Sequence, residues 1–346
     1  MRAIKHLAAW ALFAGVIWAQ SPSEPPRLVE GLQKFHAGDL RGAETSFRAV
    51  LAAADNVTAR AFLALSLAGT GRCEEAVPEL RAQASNAPDA EVRRLTGLAL
   101  LDCDTRAERF AEAFRDAGSL KSMNPADADT LYETARLYNR AWNETLRELF
   151  ERAPASFRVN QLSAEIFESQ ANYTAAITEY RKAIAKSPAT IGMHYRLGRA
   201  ILMQSHAPEA MTEARREFDA ELQLNTSDAA AEYEVAEILI AQQHPEEAAA
   251  RLEKAIQSDP EFPEALIALA RLRSTAGRNG EAIPLLERAV KLAPRSQSAR
   301  MSLMLAYRKA GRLEDAKAQK EALEKLVAPP GGEFSDFLKR LGEKNP

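Results

Sequence analysis

Residues 263–294 read PEALIALARLRSTAGRNGEAIPLLERAVKLAP. Two segments with apolar residues at helical spacing flank AGRNGE, a turn-forming cluster whose two glycines are expected to make the turn. The pattern predicts a helical hairpin. A shift of 34 residues in either direction recovers it: Ala248, Ala282 and Ala316 fall in register, as do Ala236 and Ala270, and Pro260 and Pro294.

Working outward, the unit beginning at Pro263 carries Leu266, Leu269, Ala270, Ala282, Leu286, Ala289 and Pro294. The unit from Phe157 has Ala164, Phe167, Ala176, Tyr180, Ala183 and Pro188, and the unit from Ile191 has Leu197, Gly198 and Ala210. The unit from Ala229 has Val235, Ala236, Ala248, Leu252, Ala255 and Pro260, and the unit from Gln297 has Leu303, Tyr307 and Ala316. These positions resemble the tetratricopeptide repeat family, which places Leu, a small residue and Tyr on a first helix, Ala and Phe on a second, and Pro at the exit. Five consecutive units are expected: 157–190, 191–228, 229–262, 263–296 and 297–330. The second of these is longer than its neighbours, with the extra residues inside the charged run EARREFDAEL, so its second helix should gain about one turn.

Toward the N-terminus the match weakens across 24–156. Gly31, Ala43 and Phe47 mark one unit, and Leu63, Ala64, Ala76, Leu80 and Pro88 mark the next. Residues 91–125 (Leu98, Ala99, Ala111) and 126–156 (Leu131, Ala135, Tyr138, Pro154) are degenerate. The latter is shortened around Asn139 to Trp142, which is read as a joint. After Val327, APPGGEF breaks the helical pattern, and Phe334, Phe337, Leu338 and Leu341 return at helical spacing. Residues 331–346 are expected to form a capping helix or a tail that docks on a partner or on the protein's own groove, since terminal repeats need a covered or polar end.

The fold class is therefore all-α, and the family resemblance implies a right-handed superhelical solenoid of antiparallel helix pairs. Small residues such as Gly198, Ala236 and Ala270 let the paired helices approach, while Tyr180, Leu252 and Leu286 fill the space between. The composition agrees: 46% hydrophobic and 27% charged residues suit a folded chain, and only 7% aromatics disfavour a sheet. The formal net charge is −3 with both signs mixed along the length, which argues against nucleic acid as a partner.

The first residues have the three-part form of a secretory signal. Arg2 and Lys5 precede an apolar run from Leu7 to Trp18, and Ala19 stands before a polar Ser/Pro/Glu segment. Cleavage after Ala19 is expected, with an uncleaved N-terminal anchor as the other reading; either way the body leaves the cytoplasm. No later stretch is apolar enough to span a bilayer. The expected location is the periplasm or the outside of the cell, and the Ala/Arg/Glu-rich composition looks bacterial. In that setting the sequons NVT, NET, NYT and NTS carry no weight.

The resemblance implies that the first helix of each unit lines a concave groove, with groove-facing residues at the second, fifth, ninth and twelfth places. The fifth place holds Gln161, Tyr195, Tyr233, Ile267 and Met301, an amphipathic to apolar stripe of the kind that binding surfaces favour. The ninth holds Glu165, Arg199, Glu237 and Arg271, and the last unit adds Arg308 at its twelfth place. The alternating signs fit either a ladder of salt bridges between units or a mixed-charge peptide groove. A member group of the family grips C-terminal carboxylates with Lys and Asn at the fifth and ninth places. This chain has neither there, which argues against that ligand. The expected function is a non-catalytic scaffold for a protein or peptide segment.

Cys73 and Cys103 are the only cysteines. In an oxidising compartment they could form a disulfide, closing a loop of about 30 residues and contributing roughly 3–4 kcal/mol, or remain two free thiols. His206 and His244 occupy equivalent turns, SHAPEA and QHPEEA, but two ligands are too few for a metal site. No nucleophile with a base and no phosphate-binding loop is present, so no cofactor and no catalytic residue are expected. The alternative function is a small-molecule or glycan-binding accessory using the irregular region 91–156. There Trp142, Glu144, Asp127 and Asp129 are the polar and aromatic groups that could converge on a ligand.

Overall fold

The structure, a computed structural model, describes residues 25–327, and among these it forms seventeen α-helices and no strand. The leader 1–19 and the segment 331–346 lie outside the described residues. The chain divides into two compact units, one ending at Arg152 and the other starting at Ala153.

In the first unit, α1 (Pro26–His36) pairs with α2 (Leu40–Ala53), α3 (Val57–Gly69) with α4 (Cys73–Asn86), and α5 (Ala90–Arg106) with α6 (Phe110–Met123). A single long helix, α7 (Ala128–Arg152), ends the unit and packs on α5 and α6. The second unit is five hairpins. α8 (Phe157–Ser169) pairs with α9 (Tyr173–Lys186), α10 (Met193–Gln204) with α11 (Pro208–Leu224), and α12 (Ala229–Ala241) with α13 (Pro245–Ser258). α14 (Pro263–Thr275) pairs with α15 (Asn279–Leu292), and α16 (Gln297–Lys309) with α17 (Leu313–Val327).

Local sequence explains the boundaries. Asp39, Asn56, Asp89, Asn172, Asp228 and Ser296 each accept a backbone N–H of the first helical turn that follows, satisfying a donor the helix cannot pair itself. Pro26, Pro208, Pro245 and Pro263 open helices where a missing N–H costs nothing. Between α12 and α13, α14 and α15, and α16 and α17, the turn contains a left-handed residue at Gln243, Gly277 and Gly311, so the repeat period is visible in the backbone itself. Gly280 does not share in the turn, contrary to the reading of AGRNGE. It falls in the first turn of α15, because the left-handed residue at Gly277 already reverses the chain.

Packing follows the small-residue rule. Ala164 and Tyr180, Ala236 and Leu252, and Ala270 and Leu286 are buried in the cores of their hairpins. Where the small residue is Gly, the facing side chain is bulky: a Cβ on Gly31 would stand 2.6 Å from the Phe47 ring, and one on Gly198 would stand 2.7 Å from the Phe218 ring. α11 is 17 residues long against 14 in α9 and α13, the site of the extra turn.

Two expectations for 126–156 need correction. The segment is not a shortened hairpin, and 139–142 is not a joint: α7 runs unbroken through Asn139 and Trp142 for 25 residues. Its sequence has no glycine or proline to interrupt it, and Asp127 starts it by accepting both the N–H and the hydroxyl of Thr130. Only Thr130, Thr134 and Leu137 of α7 are buried. Cys73 and Cys103 are joined by a disulfide, their Cα atoms 5.5 Å apart.

Candidate functional site

The first helices of the second unit carry the residues expected to line a groove. On α10, Tyr195 is half-buried, its ring 5.8 Å from that of Phe218, and its backbone N–H donates to Glu221 Oε2 at 3.2 Å. Glu221 comes from α11 and is wholly buried; its other oxygen accepts the N–H of Gly192 at 2.6 Å. Gly192 stands before α10 in the left-handed region and has no side chain to cap it, so this carboxylate from the paired helix takes over the cap. One turn earlier on α11, Glu217 lies 2.6 Å from His194 Nδ1. These two carboxylates fix the start of the helix that presents Tyr195 and Arg199.

Arg199 is exposed and reaches two groups, the Tyr195 hydroxyl at 3.4 Å and Glu234 of α12 at 3.1 Å. Burial pushes the Glu234 carboxyl above the usual carboxylate range, against the pull of Arg199. Glu237 is also pushed up by burial, with Arg271 pulling it the other way. Tyr233 packs its ring 5.2 Å from Phe262, and burial followed by the neighbouring Glu237, Glu234 and Glu264 pushes its hydroxyl up to about 12. On α8, Gln161 Nε2 donates to Glu165 at 3.0 Å, and Arg196 of α10 comes within 3.8 Å of Glu165.

The charges of the ninth places therefore do form links between units, but not with each other. Arg199 takes Glu234, one turn short of Glu237, and Glu165 is met by Arg196. Among the described residues, Arg271 and Arg308 have no carboxylate within 4.0 Å. Sequence reading missed Glu234 and Arg196, because a register of fifth and ninth places does not consider the positions beside them.

Ile267 does not belong on this face. It is only 8% exposed, since Ala265 through Ala270 of α14 are all buried, and it serves the core. Met301 is 43% exposed on α16, and Leu305, at the ninth place of the same unit, is 45% exposed one turn on. Arg308 follows at helical spacing and is exposed. The face thus alternates aromatic, charged and apolar groups: Tyr195 and Arg199, Tyr233 and Glu237, Arg271, then Met301, Leu305 and Arg308.

A family model described as Tetratricopeptide repeat matches residues 28–91, 162–229 and 267–332, more than half of the chain, and a second of the same description matches 239–282. The chain belongs to the tetratricopeptide repeat family. Solved structures similar to it include a crystal structure of the MamA protein, with 18% identity over 49% of this chain and 91% of that one, at a TM-score of 0.43. Another is YrrB, described as a TPR protein with an unusual peptide-binding site, with 16% identity over 56% of this chain and 97% of that one, also at 0.43. MamA from Desulfovibrio magneticus RS-1 matches at 15% identity over 51% of this chain and 97% of that one, at 0.45. No curated protein matches the sequence.

Neither tetratricopeptide repeat model extends over 92–161, which takes in all but the first residue of 91–156, the region expected to hold a small-molecule site on the alternative reading. The structure does not bring its groups together. Asp127 and Asp129 both bind Arg94, at 3.4 and 3.1 Å, and Glu144 is paired with Arg147. Trp142 is 50% exposed and stands fifteen residues along α7 from Asp127, about 20 Å of helix. Among the described residues no group of three or more His, Cys, Asp or Glu is placed to hold a metal ion, and no helix is long and apolar enough to cross a membrane. His244 starts α13 and lies 3.2 Å from Glu247, while His206 sits in the turn before α11.

Proposed function

We propose that this protein is a non-catalytic scaffold that binds a peptide or protein segment along the exposed side of α8, α10, α12, α14 and α16. The observation that carries this reading is the half-buried tyrosines of α10 and α12 and the exposed apolar side chains of α16, interleaved with Arg271 and Arg308, which have no carboxylate within 4.0 Å among the described residues. Tyrosine, methionine and arginine are the residue types enriched where protein surfaces meet, because they combine contact area with a polar handle. An extended or helical segment with apolar side chains and at least one acid near Arg271 or Arg308 fits this row. The partner class is protein rather than nucleic acid, given the net charge of −3 and its even mixture.

The protein acts, on this reading, in the periplasm or outside the cell. The basic, apolar and small-residue order of 1–19 supports export, and a disulfide at Cys73 and Cys103 suits an oxidising compartment. Mass measurement of the protein recovered from cells should give an N-terminus at Gln20; an intact leader on a cytosolic protein would defeat the assignment.

The binding face is tested by affinity capture from an envelope extract, comparing the wild type with Tyr195→Ala/Tyr233→Ala. A protein held by the first and lost by the second supports the face, provided both give the same circular dichroism and melting curve. Equal capture by both removes the face from consideration.

A further inference from the structure

The disulfide sits in surroundings that a permanent staple does not need. Cys73 is the first residue of α4, where no side chain caps the free N–H groups of the first turn. Cys103 lies at the far end of α5 and is wholly buried, whereas Cys73 is part-exposed. Arg106, one turn beyond Cys103, places Nη2 3.2 Å from the Cys73 sulfur and 3.7 Å from the Cys103 sulfur. A disulfide carries no charge for a guanidinium to meet. A thiolate does.

The nearby acids are each paired with an arginine. Glu74 is engaged by Arg109 at 2.9 Å and Glu75 by Arg72 at 2.6 Å. Asp102 Oδ2 holds the same Arg106 Nη2 at 2.7 Å, and Asp102 shares its charge with Arg136 at 3.3 Å. Arg106 Nε is buried with no partner of its own. A helix N-terminus and an adjacent arginine both lower a thiol's pKa, and whatever stabilises the thiolates stabilises the reduced form.

We propose that Cys73–Cys103 is a thiol–disulfide exchange site whose co-reactant is a dithiol, with Cys73 as the entry sulfur. A thiolate of the dithiol attacks Cys73 Sγ, forming a mixed disulfide as the Cys73–Cys103 bond breaks and its electron pair leaves on Cys103. The second thiolate of the dithiol then attacks its own sulfur in the mixed disulfide and releases Cys73 as a thiolate. Two electrons pass to the protein, the dithiol becomes a disulfide, and its two protons go to solvent or to the new thiolates. Arg106 faces both leaving sulfurs, so one group serves both steps. Reduction removes the covalent link between the hairpin of α3 and α4 and that of α5 and α6, which makes the first unit the responsive one.

The test equilibrates the full chain with mixtures of reduced and oxidised dithiothreitol at fixed pH and reads the reduced fraction by maleimide mass tagging. Arg106→Met should require about a tenfold higher ratio of reduced to oxidised reagent for half-reduction, about 30 mV, and Arg106→Lys should recover most of the difference. An Arg106→Met midpoint equal to wild type overturns the proposal, as does a wild-type disulfide that is reduced only under conditions that also abolish its circular dichroism. In a second arm, the single-thiol variants Cys103→Ser and Cys73→Ser are exposed to oxidised glutathione. The chain that keeps Cys73 should form the mixed disulfide at least about tenfold faster. Equal rates, or faster reaction at Cys103, reject Cys73 as the entry sulfur.

Discussion

Glu221 shows how much one buried side chain decides for the face it never reaches. It is wholly buried, it accepts the N–H groups of Gly192 and Tyr195, and it is the cap α10 lacks in its own sequence. Hydrogen bonds to a charged group contribute about 1.5–3 kcal/mol each before the cost of stranding their partners. Glu221→Ala should therefore lower stability by about 2–4 kcal/mol in urea unfolding, and Glu221→Gln, which keeps one acceptor and the shape, by clearly less. Gly198 couples core and face in the same hairpin. A methyl there meets Phe218, and Phe218 backs Tyr195. Gly198→Ala should cost about 1–3 kcal/mol as an overpacked core, and Gly198→Ala/Phe218→Leu should recover part of that in the same measurement. Neither role was fully legible beforehand. Gly198 was recognisable as the small residue of its repeat, but Glu221 looked like one more charge in EARREFDAEL, because a helical wheel cannot tell a carboxylate facing water from one facing the start of the paired helix.

At the scale of the element, the hairpin turn is where repeat and sequence disagree. In the second unit the left-handed position after the first helix is Gly277 and Gly311 in two hairpins, but Gln243 in a third and Ala171 in a fourth, each with positive φ. A side chain in this region costs about 1–2 kcal/mol, of which Gly would return part after its greater freedom in the unfolded chain is counted. Gln243→Gly should thus stabilise the protein by about 0.5–1 kcal/mol, seen as a higher urea midpoint with an unchanged slope. The 34-residue period made the hairpins of the second unit legible because every hairpin repeats the same packing solution. It failed at α7, where Leu131, Ala135 and Tyr138 keep the repeat's spacing without a second helix to receive them: Leu131 is 46% exposed and Tyr138 58%. It failed again at Ile267, whose place in the register implies exposure but whose helix is enclosed on nearly every side. Register fixes the direction of a side chain relative to its own helix, and burial depends on what lies beyond.

Across the whole molecule, the buried clusters of the first unit end at Leu137 and those of the second begin at Ala164, so each unit has a core of its own. In arrays of repeats, stability is a sum of local terms, and a change is felt mainly by the hairpins that touch it. Asp116 on α6 gives a pH handle on the first unit. Burial, and then the neighbouring Asp104, push its carboxyl up to about 6, with Arg81 and Arg115 pulling the other way; its Oδ2 is buried without a partner. An acid whose pKa is raised on folding contributes stability fully below its unfolded value, near 4, and loses that contribution as pH rises through about 6. Wild type at pH 7 should accordingly be less stable than Asp116→Asn by about 1–2 kcal/mol, discounted for the part of the group that water reaches, and the gap should close as pH falls toward 4. Hydrogen exchange followed by mass spectrometry locates the effect. Asp116→Asn at pH 7 should slow exchange in α5 and α6 and leave α10 and α11 unchanged, while Gly198→Ala should speed exchange in α10 and α11 and leave α5 and α6 unchanged. Either substitution altering both units to the same extent would mean that the chain unfolds as one cooperative body despite its separate cores.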